Sequence, residues 1–158
     1  MKTALILIAV LFAIAQSQSI VPGTYRIDCP DGNVFDIKDS GMADGTPLIT
    51  GSWHNGLNQH FIVEYVDGVW ATMYAQHSHK FLTVSSPAVG AIYTQEEKIG
   101  VNGAWTQQFR FEATTDGFTR VINRDTGKVM TCPAGKNPVQ GNKVCDPSEK
   151  LTFELQGN

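Results

Sequence analysis

Short segments of alternating hydrophobic and polar residues follow one another along most of the chain, and turn-forming residues separate them. Gly, Pro, Asn and Asp interrupt the pattern at intervals of roughly eight to twelve residues, the spacing expected of short strands. After residue 15, no segment sustains apolar residues at the spacing of an amphipathic helix. The pattern therefore predicts an all-β chain.

The strand pattern occurs three times, in repeats that span approximately residues 23–67, 68–116 and 117–158. Each repeat opens on a glycine and a short strand, and a second, a third and a fourth strand follow. The first strands are GTYRI, GVWAT and GFTRV, the second strands are NVFDI, KFLTV and KVMTC, and the third strands are PLITG, GAIYT and GNKVC. Self-similarity at a period of this length indicates a repeat architecture.

The fourth strand of each repeat belongs to a shared motif, which reads GLNQHFIVE, WTQQFRFE and SEKLTFE in the three copies. Alternate residues of a strand face the same side, so Phe61 and its equivalents are expected to point into a common core. Gln59 lies at the edge of that face, where an amide can bind backbone groups that turns leave unpaired. The corresponding structural positions of the other copies are Gln107 and Phe109, and Glu149 and Leu151.

Four strands in each of three repeats give twelve strands, which favours a closed barrel capped by hairpins over a propeller, whose blades usually number at least four. That arrangement is a β-trefoil with pseudo-threefold symmetry. A two-sheet sandwich is the alternative architecture, but it gives no reason for a threefold repeat.

The first fifteen residues, MKTALILIAVLFAIA, have the features of a secretory signal peptide: one positive charge, an apolar run and small residues at the end. The apolar run is shorter than the roughly twenty residues that a membrane span requires. Cleavage after residue 15, or as late as residue 19, would leave a β-trefoil domain over 20–158. The sequence thus predicts a secreted, extracellular protein without a membrane span.

Charge and motif content exclude several classes of function. Removal of the leader takes away Lys2 and leaves eleven basic against fifteen acidic residues, a formal charge of −4. No Lys/Arg cluster is available to neutralise phosphates, so nucleic acid and anionic lipid are not expected partners. The sequence has no Gly-x-Ser-x-Gly elbow, phosphate-binding glycine loop or HExxH motif, and we expect no enzyme activity and no cofactor. His77 and His79 alone do not suffice for a zinc site, so no metal is predicted.

Three cysteines in an exported chain leave one unpaired whichever disulfide forms. Cys132 and Cys145 end two successive β segments that a hairpin would place side by side, and they are the favoured pair. Cys29 remains an alternative partner, because its segment could meet the C-terminal region.

The threefold Gln-x-aromatic motif resembles that of the ricin B-type lectin domain. The sequence of the first repeat is similar to those of small secreted fungal members of this family. The likeness covers residues 22–158. The motif departs from the usual pattern, because Phe61, Phe109 and Leu151 stand in place of the family's Trp, and the third copy has Glu149 instead of Gln. The resemblance implies a β-trefoil that binds carbohydrate.

In this family the sugar contacts an Asp on the second strand, an aromatic ring near the third strand and an Asn before the motif's Gln. By position, the first repeat supplies Asp36 and Asn58, while Gly51 stands where the ring is often found. Trp53 is the expected stacking platform, with His54 beside it. The other repeats have Thr or Ser at the positions of the acid and the amide, and are expected to lack this pocket: Thr83, Thr106, Thr131 and Ser148.

The resemblance most often implies galactose-type glycans, and one intact site predicts roughly millimolar affinity for a monosaccharide. A larger glycan or a homo-oligomer would then supply avidity. A protease inhibitor acting through an exposed loop is the alternative function, since the β-trefoil also serves inhibitors of this size and fold alone does not select function.

Overall fold

The computed structural model describes residues 19–157, and the predicted signal peptide lies outside them. The chain forms twelve strands: β1 Gly23–Asp28, β2 Val34–Ile37, β3 Thr46–Gly51, β4 Phe61–Tyr65, β5 Ala71–Ala75, β6 Phe81–Val84, β7 Tyr93–Glu96, β8 Gln108–Ala113, β9 Thr119–Asn123, β10 Val129–Thr131, β11 Val139–Gly141 and β12 Thr152–Leu155. The all-β prediction is confirmed.

Six of the strands close a barrel. Antiparallel pairing runs from β1 to β4, β5, β8 and β9. A bridge between Thr119 and Leu151 and the pairing of β12 with β1 complete the circle. The remaining strands form three hairpins, β2–β3, β6–β7 and β10–β11. A closed barrel with one hairpin per repeat is a β-trefoil, as the threefold pattern predicted, and the sandwich alternative is wrong.

A single 3-10 turn precedes the fourth strand of every repeat, at Leu57–Gln59, Trp105–Gln107 and Pro147–Glu149. The last residue of each turn is the motif's Gln or Glu, and its side chain is fully buried. A further 3-10 turn, Lys38–Ser40, follows β2. These turns fix where the motif side chains point.

The core lies on the barrel axis and beneath the hairpins. Phe61, Phe109 and Leu151 are fully buried and occupy one layer, contributed equally by the three repeats. A second layer comes from the hairpin strands, which bury Phe35, Leu82 and Met130 at equivalent positions. The smaller Leu151 in place of a ring is accommodated in this shared centre.

The disulfide joins Cys29 to Cys132, with their Cα atoms 5.7 Å apart, so the predicted Cys132–Cys145 pair is wrong. Both bonded residues are buried, whereas Cys145 is exposed and unpaired within residues 19–157. The error has a structural cause: the third strand of the last repeat is Val139–Gly141 and not Gly141–Cys145. Cys145 therefore follows the hairpin and does not lie opposite Cys132.

No helix within residues 19–157 combines the length and the apolar character needed to cross a bilayer. In the same part of the chain, no three His, Cys, Asp or Glu side chains come together in a group that could hold a metal ion. His77 instead places its Nε2 atom 3.0 Å from the Gly41 carbonyl oxygen.

Candidate functional site

Asp36, on β2, lies at the centre of a hydrogen-bonded group in the first repeat. Its side chain is largely buried, with 7% of the residue exposed. Asn58 Nδ2 donates to Asp36 Oδ1 at 2.8 Å, and Gln59 Nε2 donates to Oδ2 at 2.8 Å. His54 Nε2 lies 3.3 Å from the same Oδ2 atom. The structure therefore brings three of the predicted site residues, Asp36, His54 and Asn58, into one place.

Gln59 holds the loop after β3 against this carboxylate. Its Oε1 accepts from the backbone N–H of His54 at 2.9 Å, and its Nε2 also donates to the Ser52 carbonyl at 2.9 Å. The Gln59 amide thus binds two backbone groups of the loop and also orients the Asp36 carboxylate. One side chain therefore has a structural role and a role in the candidate binding site. Gln107 repeats the pattern with the N–H of Ile99 and the carbonyl of Glu97.

The His54 ring is held in one orientation by its own neighbours. The backbone N–H of Gly56 donates to His54 Nδ1 at 3.2 Å, which makes Nδ1 an acceptor and assigns the proton of the neutral ring to Nε2. That proton faces Asp36. About half of the side chain, 54%, is exposed, so His54 forms the outer edge of the group.

Gly51, the last residue of β3, lies beside Asp36 with room for a Cβ atom. A Cβ atom at this position would lie 3.5 Å from Asp36 Oδ2, an ordinary van der Waals separation. A larger side chain would begin directly next to the carboxylate. The ring that the resemblance places here is therefore absent, and the space remains available.

Trp53 contacts a different part of the surface. Its ring stacks on His60 at a centroid distance of 5.4 Å and an interplanar angle of 13°, and the Arg26 guanidinium carbon is 5.1 Å from its centroid. Arg26 and His60 directly follow and precede the last pair of the β1–β4 register, Tyr25 with Phe61, so both lie at that end of the two strands. Successive residues of an extended segment point in opposite directions, so the loop that directs His54 toward Asp36 directs Trp53 away from it.

The equivalent positions of the other two repeats lack the carboxylate. Thr83 Oγ1 accepts from Gln107 Nε2 at 3.1 Å, in the place of Asp36. An open pocket of about 410 Å³ lies there, lined by Thr83, Thr94 and Glu96 among others. A pocket of about 420 Å³ beside Cys132 is lined by residues of the first and third repeats, mainly Pro, Ala and Asp. Thr83 and Thr131 thus stand where the first repeat has Asp36.

Comparison with solved structures supports the β-trefoil fold. The chain is similar to the designed threefold symmetric protein ThreeFoil at 23% identity, TM-score 0.78, over 85% of this chain and 99% of that one. It is similar to the Rhizoctonia solani agglutinin at 19% identity, TM-score 0.75, over 87% and 98% of the two chains.

A Polyporus squamosus lectin bound to the epitope Neu5Acα2-6Galβ1-4GlcNAc matches at 16% identity and TM-score 0.74, over 86% of this chain and 50% of that one. This chain thus spans half the length of that lectin. No family model matches the chain, and no curated protein matches it by sequence. At these identities the likeness establishes the fold, and the function follows from the site.

Proposed function

We propose that the protein is a secreted, non-catalytic lectin that binds galactose-type glycans through Asp36, His54 and Asn58 of the first repeat. The observation that carries the proposal is the Asp36 carboxylate, which accepts hydrogen bonds from two side-chain amides. The group that it forms with them reaches the surface at His54. The fold that it shares with the Rhizoctonia solani agglutinin and the Polyporus squamosus lectin supports the assignment.

The hydrogen-bond capacity of Asp36 suits a sugar with adjacent hydroxyl groups. A carboxylate has about four acceptor positions, and the described contacts occupy three of them. One sugar hydroxyl donates to the free position on Oδ1, and a second replaces the long contact from His54 on Oδ2. Charge-assisted bonds of this kind are stronger than neutral ones. Asn58 Oδ1 offers an additional acceptor.

Trp53 has a separate role in this proposal. Because its ring rests on His60 and Arg26 and not over Asp36, it serves as a platform for a second sugar unit of a longer glycan. An indole face covers the apolar C–H side of a pyranose while the hydroxyls stay in water. A longer glycan, or a homo-oligomer, supplies the avidity that one shallow site lacks.

Two further observations support the proposal of a non-catalytic, exported protein. A retaining glycosidase needs two carboxylates about 5 Å apart, and the side chains that contact Asp36 within residues 19–157 are amides and an imidazole. The buried Cys29–Cys132 disulfide is typical of proteins from oxidising compartments, in agreement with the signal-like leader.

Substituting Asp36→Thr should weaken glycan binding by about a hundredfold, because it removes a charged acceptor of two sugar hydroxyls. Thr is the residue of the second repeat, where Thr83 accepts from Gln107, so Gln59 keeps a partner and Asn58 keeps the Ile37 carbonyl. The unfolding free energy should fall by only about 1 kcal/mol. Titration calorimetry with lactose and a glycan array measure binding, and urea unfolding measures stability.

The matched control is Asp125→Thr, which removes an exposed acid from the third repeat and should leave lactose binding unchanged. Equal loss of binding in both variants would contradict the assignment of Asp36. An array silent for the wild-type domain, combined with nanomolar inhibition of a protease, would replace the lectin proposal with the inhibitor alternative.

Gly51→Trp should strengthen binding by roughly threefold to tenfold, because it places a stacking ring beside Asp36 where a Cβ atom already fits. Gly51→Ala is the control, since it adds the Cβ atom without a ring and should leave affinity unchanged. Titration calorimetry with lactose measures the affinity of both variants. Weaker binding of the Trp variant than of the Ala variant would show that the sugar itself occupies the space beside Gly51.

A further inference from the structure

Trp105 is unusually exposed for an indole, with 59% of the residue accessible. It opens the 3-10 turn before β8, on the side of the barrel between the second and third repeats. The guanidinium carbon of Arg124 lies 5.0 Å from the centroid of Trp105 and 5.1 Å from that of Trp70. Two of the three tryptophans of the chain thus flank one cation.

Arg124 is held so that one edge of its guanidinium group remains free. Nη1 donates to Gln108 Oε1 at 2.6 Å and lies 3.7 Å from Asp67 Oδ2. Within residues 19–157, Nε and Nη2 donate to no acceptor, yet neither is among the buried unpaired atoms, so both reach solvent. The Nε–Nη2 edge is the part of an arginine that binds a carboxylate through two parallel hydrogen bonds.

A second guanidinium group adds positive charge to the same surface. Arg110, on β8, lies 5.9 Å from the Trp70 centroid and pairs through Nη2 with Glu112 at 2.8 Å. Its Nε is buried and has no acceptor within the described residues. Asp67 and Glu112 each engage one side of an arginine, and the remaining N–H groups are unsatisfied by protein.

A cation–π contact that only stabilised the barrel would not require an exposed ring. Trp105 instead presents a wide apolar face to water, next to an arginine that is already oriented by Gln108 and by the two indoles. Little side-chain freedom is left to lose on binding. An apolar face beside a free guanidinium edge matches a ligand that has a C–H face and a carboxylate on the same ring.

We propose that Trp105, Trp70 and Arg124 form a second saccharide site, separate from Asp36, that takes a sugar bearing a carboxylate. The pyranose ring packs on the part of the Trp105 ring that Arg124 leaves uncovered, on the same side as the guanidinium, and its carboxylate pairs with the Nε–Nη2 edge of Arg124. A terminal sialic acid and a uronic acid share this chemistry. The site belongs to the second and third repeats and does not depend on the first-repeat site.

The test uses the full mature domain carrying Asp36→Thr, so that the first-repeat site does not contribute. Calorimetry with sialyllactose and with a glucuronic acid disaccharide should show binding to one or both, with lactose as the neutral control. Trp105→Ala should abolish this binding, and Arg124→Lys should weaken it at least about tenfold, because a lysine keeps the charge but loses the bidentate edge. Affinity should also fall as salt is added.

Thermal unfolding separates site loss from misfolding, since Trp105 is exposed and its replacement should leave the midpoint nearly unchanged. Binding of both acidic sugars that survives Trp105→Ala would overturn the proposal, as would a folded protein that binds neither sugar. Equal affinity of the Arg124→Lys variant would overturn the bidentate contact. Loss of lactose binding in the otherwise wild-type domain on Asp36→Thr tests the first-repeat site alone, so the two failures are distinguishable.

Discussion

Breaking the Cys29–Cys132 disulfide should lower the free energy of unfolding by about 4–5 kcal/mol. The bond joins residues 103 positions apart, and the chain-entropy model assigns a loss of this size to a closed loop of about 100 residues. The cross-link also connects the first repeat to the third, at the point where the chain must return to close the barrel. A loss of this size is a large part of the stability of a small domain.

The design of the variant must separate the cross-link from packing. Cys132 occupies the core position that Ile37 and Val84 fill in the other repeats, so Cys29→Ala with Cys132→Val removes the bond and retains an apolar side chain there. Urea unfolding at constant temperature gives the free energies. Cys145→Ser, at the exposed cysteine, is the control and should change stability by less than about 0.5 kcal/mol.

A large loss in the Cys145→Ser control, with none in the double variant, would contradict the observed pairing. A large loss in both variants would instead indicate the Cys132–Cys145 pair that the sequence favoured, because each variant removes one of those two cysteines. Peptide mapping of the unreduced protein gives the same answer directly, because a Cys29–Cys132 bond links the peptide that contains Cys29 to the one that contains Cys132 and leaves the Cys145 peptide unlinked.

The barrel could be predicted because its signals are local and repeated. An opening glycine and the strand alternation recur in each copy, and the Gln-x-Phe motif recurs in two of them with Glu-x-Leu in the third, so one strand assignment supports the other two. The third strand of the last repeat could not be placed, because PVQGNKVC alternates in two registers and only packing selects Val139–Gly141. Buried Gln140, whose Nε2 donates to the Ala88 carbonyl, is the residue that this register points inward.

The positions of Asp36 and Asn58 in the first repeat could be predicted for a related reason, whereas the direction of the Trp53 side chain could not. Asp36 and Asn58 lie on regular elements, whose register fixes the side of the sheet they face. Trp53 and His54 are neighbours in an extended loop. A shift of one residue in its register would turn the Trp53 ring toward Asp36 in place of the His54 ring. Trp105 precedes β8 and Arg124 follows β9, so the pairing of these two strands brings the side chains together. Nothing local in the sequence indicates this contact.

Glu149→Gln should destabilise the protein by about 3 kcal/mol, although it gives the third repeat the amide found in the other two. Glu149 is fully buried, accepts from the Val144 N–H at 2.6 Å and pairs with Arg120 Nε at 2.8 Å. An amide can still accept from Val144, but its NH₂ group then meets the N–H of Arg120. Removing one partner of a buried ion pair typically costs about 3–5 kcal/mol, because the other charge is left uncompensated.

Removing Arg120 as well should recover most of that loss. With Arg120→Ala, the amide at position 149 is free to donate to Thr131, which is equivalent to the Thr83 that accepts from Gln107 in the second repeat. Urea unfolding of the wild type, both single variants and the double variant gives a coupling energy, which should exceed about 1 kcal/mol. Additive losses would show that the third repeat does not depend on the Arg120–Glu149 pair in place of the amide, and that the two residues act separately.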